Sequence, residues 1–123
     1  MSQQLEETLK EAMSITGAIG VALVDFGSGM TLGTIGGGGL DLEIAGAGNT
    51  EVVRAKLATM KALGLDDQIE DILITLGTQY HLIRLLSGEG QDGLFLYLAL
   101  NKEVANLAMA RRQLSEVEKH VSV

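Results

Sequence analysis

The chain has 123 residues, 46% hydrophobic and 20% charged, which is a globular composition with room for one core and no second domain. A formal charge of −7 excludes the basic groove that phosphate backbones require, so nucleic acid is not an expected partner. The absence of cysteine excludes disulfides, thiolate metal sites and cysteine nucleophiles.

The opening residues, Met-Ser-Gln-Gln-Leu-Glu-Glu, have no basic region followed by an apolar stretch, and the longest apolar runs, 18–24 and 94–100, are too short to span a bilayer. A cytoplasmic protein with no membrane insertion is expected. Ser2 stands where an N-cap belongs, ahead of a short helix with Leu5, Leu9, Ala12 and Met13 at helical spacing, ended by Thr16 and Gly17. Strand-like segments 18–25 and 30–35 flank Phe26-Gly27-Ser28-Gly29, a hairpin signal with two glycines. The first has apolar residues on both faces, Ile19, Val21 and Leu23 against Ala22, Val24 and Phe26, which predicts a central strand covered on either side.

After the glycine run 36–39, read as a flexible linker, Asp41 can cap a long helix over 41–63. Gly64 ends it as a left-handed C′ residue, with Leu65 folding back. Segments 69–76 and 79–86 flank Gly77-Thr78, a two-residue loop with glycine first, which predicts a type II′ hairpin. Counting outward pairs Thr75 with Tyr80, Leu73 with Leu82, Ile72 with Ile83 and Asp71 with Arg84, the last as an opposite-charge pair. The 87–93 loop leads to 94–100, apolar on both faces and again central. Asn101 is then expected to cap a last helix with Val104, Leu107, Ala108, Leu114, Val117 and Val121 as its buried stripe.

The middle helix is apolar or small around most of its circumference. At about 100° per residue, Leu42, Ala45, Val53, Leu57 and Met60 form one stripe, while Ile44, Ala47, Gly48, Val52, Ala55, Ala58, Thr59 and Ala62 cover much of the opposite side. One sheet buries only one of these faces, so the other needs a second cover, either a helix of the same subunit or another copy of the chain.

The order of elements, the stretch Gly17-Ala-Ile-Gly-Val-Ala-Leu-Val-Asp25, the Ala-rich middle helix ending Lys61-Ala-Leu-Gly-Leu65 and the paired strands after it resemble the roadblock family of dynein light-chain and bacterial regulator domains. The resemblance runs from about Leu5 to Leu114 and implies one α+β domain over 1–123, of order αββαβββα. It implies a five-stranded antiparallel sheet, order 2-1-5-4-3, with the middle helix on one face and the terminal helices on the other. Family members typically dimerise through that helix and the third strand, which marks Ala47, Val52, Ala55, Ala58, Thr59, Ala62, Ile72, Leu73 and Ile74 as the expected interface. Many bind or regulate small Ras-like GTPases. The four-glycine run departs from the usual family connection.

The chain shows no catalytic signature. Gly88-Glu-Gly90-Gln-Asp-Gly93 matches the dinucleotide fingerprint by letter, but the segment after it reads as a strand where the fingerprint needs a helix N-terminus for the pyrophosphate. The run 36–39 lacks the Lys-Ser/Thr of a phosphate-binding loop, although the helix start behind it could hold an anion weakly. Asp66, Asp67, Glu70 and Asp71 lack calcium-loop spacing, and His81 and His120 have no companion at metal-ligand spacing. Ser28 and Ser87 lie outside any nucleophile elbow. No enzyme activity, cofactor or metal is expected.

The leading expectation is therefore a non-enzymatic homodimeric regulator or scaffold for a small Ras-like GTPase. A small-molecule sensor or general interaction module is the alternative, on fold-level analogy alone. Glu43, Thr50, Arg54 and Lys61, spaced 7, 4 and 7, share one direction on the middle helix. A solvated face is the plain reading of that stripe. If a partner docks beside the paired helices, these four residues are expected to meet it.

Overall fold

The computed structural model describes residues 1–122. Ser2 Oγ accepts the Leu5 amide at 3.1 Å and starts α1 (Gln3–Met13). Two strands follow, β1 (Ala18–Asp25) and β2 (Met30–Gly36), then α2 (Leu42–Ala62), β3 (Asp71–Thr75), β4 (Gln79–Leu85), β5 (Leu94–Asn101) and α3 (Leu107–Glu118). The five strands form one antiparallel sheet in the order β2-β1-β5-β4-β3. The molecule is α+β, of order αββαβββα, as the resemblance implied.

Two apolar layers hold the helices to the sheet. On one face Leu5, Leu9, Leu114 and Val117 of α1 and α3 pack on Val21, Leu23, Leu82, Leu96 and Leu98. On the other, Leu42 and Val53 of α2 pack on Ala22, Val24, Ile83, Phe95 and Tyr97. Residues 94–100 of β5 are all buried, which explains why that strand reads as an unbroken apolar run. At β2 the register shifts between Leu23 and Val24, where Leu32 is the extra residue of a bulge.

The glycine run 36–39 is a bonded turn and not an open linker. Gly36, Gly37 and Gly38 have φ of +74°, +119° and +56°, a conformation that side chains with Cβ resist. The Gly37 amide donates to the Ile19 carbonyl at 2.8 Å, and the Gly37 carbonyl accepts from Leu40 at 2.7 Å. Asp41 then caps α2, its Oδ1 accepting the amides of Glu43 and Ile44 at 3.0 and 3.1 Å. Those two amides are no longer open to an exogenous anion. At the far end Gly64, with φ of +69°, donates to Lys61 and Leu65 donates to Met60, the paired bonds of a Schellman cap.

The register of β3 on β4 matches the sequence count at every pair from Asp71 opposite Arg84 to Thr75 opposite Tyr80. Three expectations fail locally. Gly77 does not take the positive φ of a type II′ turn, although Leu76 still donates to Gln79 across it at 2.8 Å. The last helix starts later than Asn101. Asn101 Oδ1 takes the Glu103 amide and its carbonyl takes those of Val104 and Ala105, closing a separate turn. Asn106 then caps α3 by accepting the Met109 amide at 3.0 Å, and two members of the expected buried stripe are exposed, Val104 at 55% and Ala108. Finally, the charges of Asp71 and Arg84 are not spent on each other. Arg111 of α3 grips Asp71 with two bonds of 3.0 and 2.8 Å, and Glu118 of α3 takes Arg84 Nε at 2.5 Å.

Candidate functional site

Helix α2 has two faces in the structure as in the sequence. Leu42 and Val53 are buried against the sheet, with Ala45 and Leu57 partly so, and Met60 is buried as well. Gly46 lets the helix settle closely, since a Cβ there would lie 2.6 Å from Thr31 Oγ1 and 3.2 Å from a Val24 methyl. The outer face carries Ala47, Gly48, Ala55, Ala58, Thr59 and Ala62, all exposed, together with Ile44 at 70% and Val52 at 37%. The Thr59 hydroxyl donates to the Ala55 carbonyl at 2.9 Å, so its polarity is spent inside the helix. Ile44 and Leu63, the latter 66% exposed, extend this apolar face beyond the residues the sequence argument singled out for an interface.

The sheet has two edge strands, β2 and β3, and the edge the expected interface uses is β3. Ile72 and Ile74 belong to the layer shared with α2, whereas Leu73 turns to the α1 and α3 layer, so the three do not form one surface. Their backbone alternates as well. Leu85 donates to Glu70 and Leu76 to Gln79 at the two ends of the ladder, so the antiparallel alternation puts Ile72 and Ile74 in bonded pairs with β4. It leaves the N–H and C=O groups of Asp71, Leu73 and Thr75 directed to the free edge.

The polar stripe of α2 is interrupted. Thr50 is buried, 1% exposed, with its hydroxyl bonded to the Gly46 carbonyl at 2.8 Å, because the β1–β2 hairpin rises against this side of the helix. Thr50 is therefore unable to meet a docked partner. Arg54 is exposed, but its guanidinium donates to the carbonyls of Phe26 and Gly27 at 2.9 and 2.6 Å and pairs with Glu51 at 3.3 Å, clamping the hairpin. Glu43 and Lys61 are exposed at opposite ends of the helix, about 27 Å apart over eighteen positions at 1.5 Å each.

Beside this surface His81 bridges Gln79 and Tyr97. Its Nε2 lies 2.7 Å from Gln79 Oε1 and its Nδ1 3.1 Å from the Tyr97 hydroxyl. The Gln79 side-chain carbonyl oxygen only accepts, so Nε2 carries a proton, and in the neutral imidazole Nδ1 accepts from the Tyr97 hydroxyl. Burial holds the His81 pKa below its ordinary value and pushes that of Tyr97 up. Among the described residues no three His, Cys, Asp or Glu side chains are grouped to hold a metal, and no helix is long and apolar enough to cross a membrane. The 88–93 glycine loop serves packing: Gln91 accepts the Gly88 amide and donates to the carbonyls of Glu118 and Val121.

No protein-family model and no curated protein matches the sequence. The architecture is nonetheless that of a defined class, the roadblock-type α+β fold. Among solved structures, the gliding protein MglB of Thermus thermophilus superposes with a TM-score of 0.78 at 16% identity, covering 98% of this chain and 89% of that one. Myxococcus xanthus MglB gives 0.75 at 14%, covering 95% and 87%. A Roadblock/LC7 domain from Streptomyces avermitilis gives 0.74 at 11%, covering 97% and 92%. At these identities the likeness is one of fold.

Proposed function

We propose that the protein is a non-enzymatic homodimeric regulator or scaffold for a small Ras-like GTPase, working in the cytoplasm as a single domain over residues 1–123. The observation that carries this reading is the outer face of α2: a long apolar, small-residue surface, with Ile44 and Val52 exposed, that no element among the described residues covers. A second copy supplies the missing cover. Ala47, Val52, Ala55, Ala58, Thr59 and Ala62 form the helix contact, and Ile72 and Ile74 extend it over the sheet. Leu73 contributes its outward backbone groups, and with the two-fold axis there the acidic residues before β3 avoid their own copies across the edge. Helix and edge contacts of this extent suit the 1,200 to 2,000 Å², roughly, of specific interfaces.

The partner meets the exposed ends of the polar stripe, Glu43 and Lys61, and the part of Arg54 left open by the hairpin. The GTPase reading follows the roadblock resemblance, which the fold supports. Light scattering should give about 26 kDa, twice the 13.0 kDa of one chain, and pull-downs with GDP- and GTP-loaded small GTPases should recover one nucleotide state preferentially. A stable 13.0 kDa monomer that retains neither state overturns the proposal.

A further inference from the structure

At the pole of the sheet where β1 and β4 end and β3 and β5 begin, a groove of about 250 Å³ opens between the α2–β3 connection and the β4–β5 loop. Phe26, Leu57, Ile69 and Leu85 form its apolar part, and Phe26 is fixed by stacking on Phe95 with ring centroids 6.4 Å apart. Asp67 and Asp92 stand on the rim from opposite sides. Asp66, Glu70 and Glu89 lie in the same two connections. Among the described residues none of these five carboxylates has an ion-pair partner, whereas Asp71, Glu118, Glu51, Glu6 and Glu116 all do. Arg54, the cation next to Phe26, is committed to the hairpin carbonyls and Glu51.

The volume falls below the roughly 300 to 1,000 Å³ of small-molecule sites, so it suits one inserted side chain better than a metabolite. The rim asks for positive charge on either side of that side chain, and the charge of −7 draws such a segment in from a distance. We propose that this groove docks a basic, extended segment of another protein, which inserts one aliphatic or aromatic side chain against Leu57, Ile69 and Leu85 and sets Lys or Arg beside Asp67 and Asp92. A second copy of this acidic chain is the wrong occupant by charge. The groove is lined by neither the outer face of α2 nor β3, so it stands independently of the dimer proposal.

Fluorescence anisotropy with three labelled peptide probes of equal length tests the assignment: lysine- and arginine-rich with a central leucine, the same with glycine for leucine, and an acidic counterpart of the first. The basic leucine peptide should bind saturably, at least tenfold tighter than the glycine form, and the acidic one not at all. The double variant Asp67→Lys/Asp92→Lys should lose tenfold or more. Glu7→Lys/Glu103→Lys, the same charge change elsewhere on the surface, should leave affinity within twofold. Indifference to leucine, or equal loss in both double variants, reduces the effect to net charge and overturns the proposal; so does the absence of saturable binding.

Discussion

Arg84 on β4 and Glu118 at the end of α3 form an ion pair at 2.5 Å, with the two side chains only 22% and 10% exposed. Glu118 also accepts from the Ser87 amide at 3.0 Å and the Ser87 hydroxyl at 3.3 Å, so one carboxylate ties the last helix to the strand and to the loop after it. Glu118→Ala leaves the guanidinium partly buried without a counter-charge and should lower unfolding free energy by about 3 kcal/mol, at the lower end for breaking a buried pair. Urea unfolding measures this, and a loss under about 1 kcal/mol would mean that water replaces the carboxylate.

His81 makes stability depend on pH. Its folded pKa is depressed by burial, so the folded state binds fewer protons than the unfolded chain below the ordinary histidine value of 6.5. The neutral imidazole's contribution is complete above pH 6.5, falls as pH drops below it, and levels off once the folded histidine is itself protonated. Protonation would also turn Nδ1 from acceptor to donor towards Tyr97, and the buried hydroxyl would lose its acceptor. In urea titrations from about pH 7.5 to 5, spanning the ordinary histidine range, His81→Asn should flatten this part of the profile; an unchanged profile would assign it to other groups.

Gly46 and Gly48 should respond to alanine with opposite signs. Both would gain up to about 1 kcal/mol of helix propensity. At Gly46 the new Cβ would lie 2.6 Å from Thr31 Oγ1, a buried hydroxyl without a partner. Overpacking of this kind costs about 1 to 3 kcal/mol, so Gly46→Ala should destabilise. Nothing lies within 4 Å of a Cβ at Gly48, so Gly48→Ala should stabilise the subunit. Thermal melts of the two variants give the comparison directly.

Ala58→Glu tests the helix contact of the proposed dimer. A carboxylate placed in a close helix interface loses hydration and finds no cation, while in the free subunit the position is exposed and accepts the change. The variant should run as a folded monomer in sedimentation at micromolar concentration. A dimer of unchanged affinity would put Ala58 outside the interface.

Arg54→Glu should act on the subunit as well as on any partner. It removes the two bonds to the Phe26 and Gly27 carbonyls and sets a carboxylate against them, which should cost about 1 kcal/mol at this half-exposed site. Lys61 has no side-chain partner among the described residues, so Lys61→Glu costs only its favourable place in the last turn of α2, about 1 kcal/mol through the helix dipole. A GTPase that docks on the stripe should bind Lys61→Glu more weakly while the variant remains folded at the assay temperature. Equal affinity would make Lys61 a solvated residue.

Features that depend on a few adjacent residues were legible without the structure. Ser2 and Asp41 cap because their side chains reach amides two or three residues on, and Gly64 ends α2 because it accepts a left-handed φ at no steric cost. The β3–β4 register follows from a two-residue loop and the period of two, and the two faces of α2 from the period of 3.6. The tertiary structure decided what each exposed-looking group meets. Thr50 shares its helical direction with Glu43 and Lys61, yet the hairpin buries it, and Arg54 is drawn to carbonyls 27 and 28 positions away. Asp71 and Arg84 stand opposite each other as counted, but α3 brings Arg111 and Glu118 close enough to take both charges. Local signals specify backbone geometry because their partners are fixed by covalent spacing; the partner of a charge or a helix face is fixed only when distant elements pack.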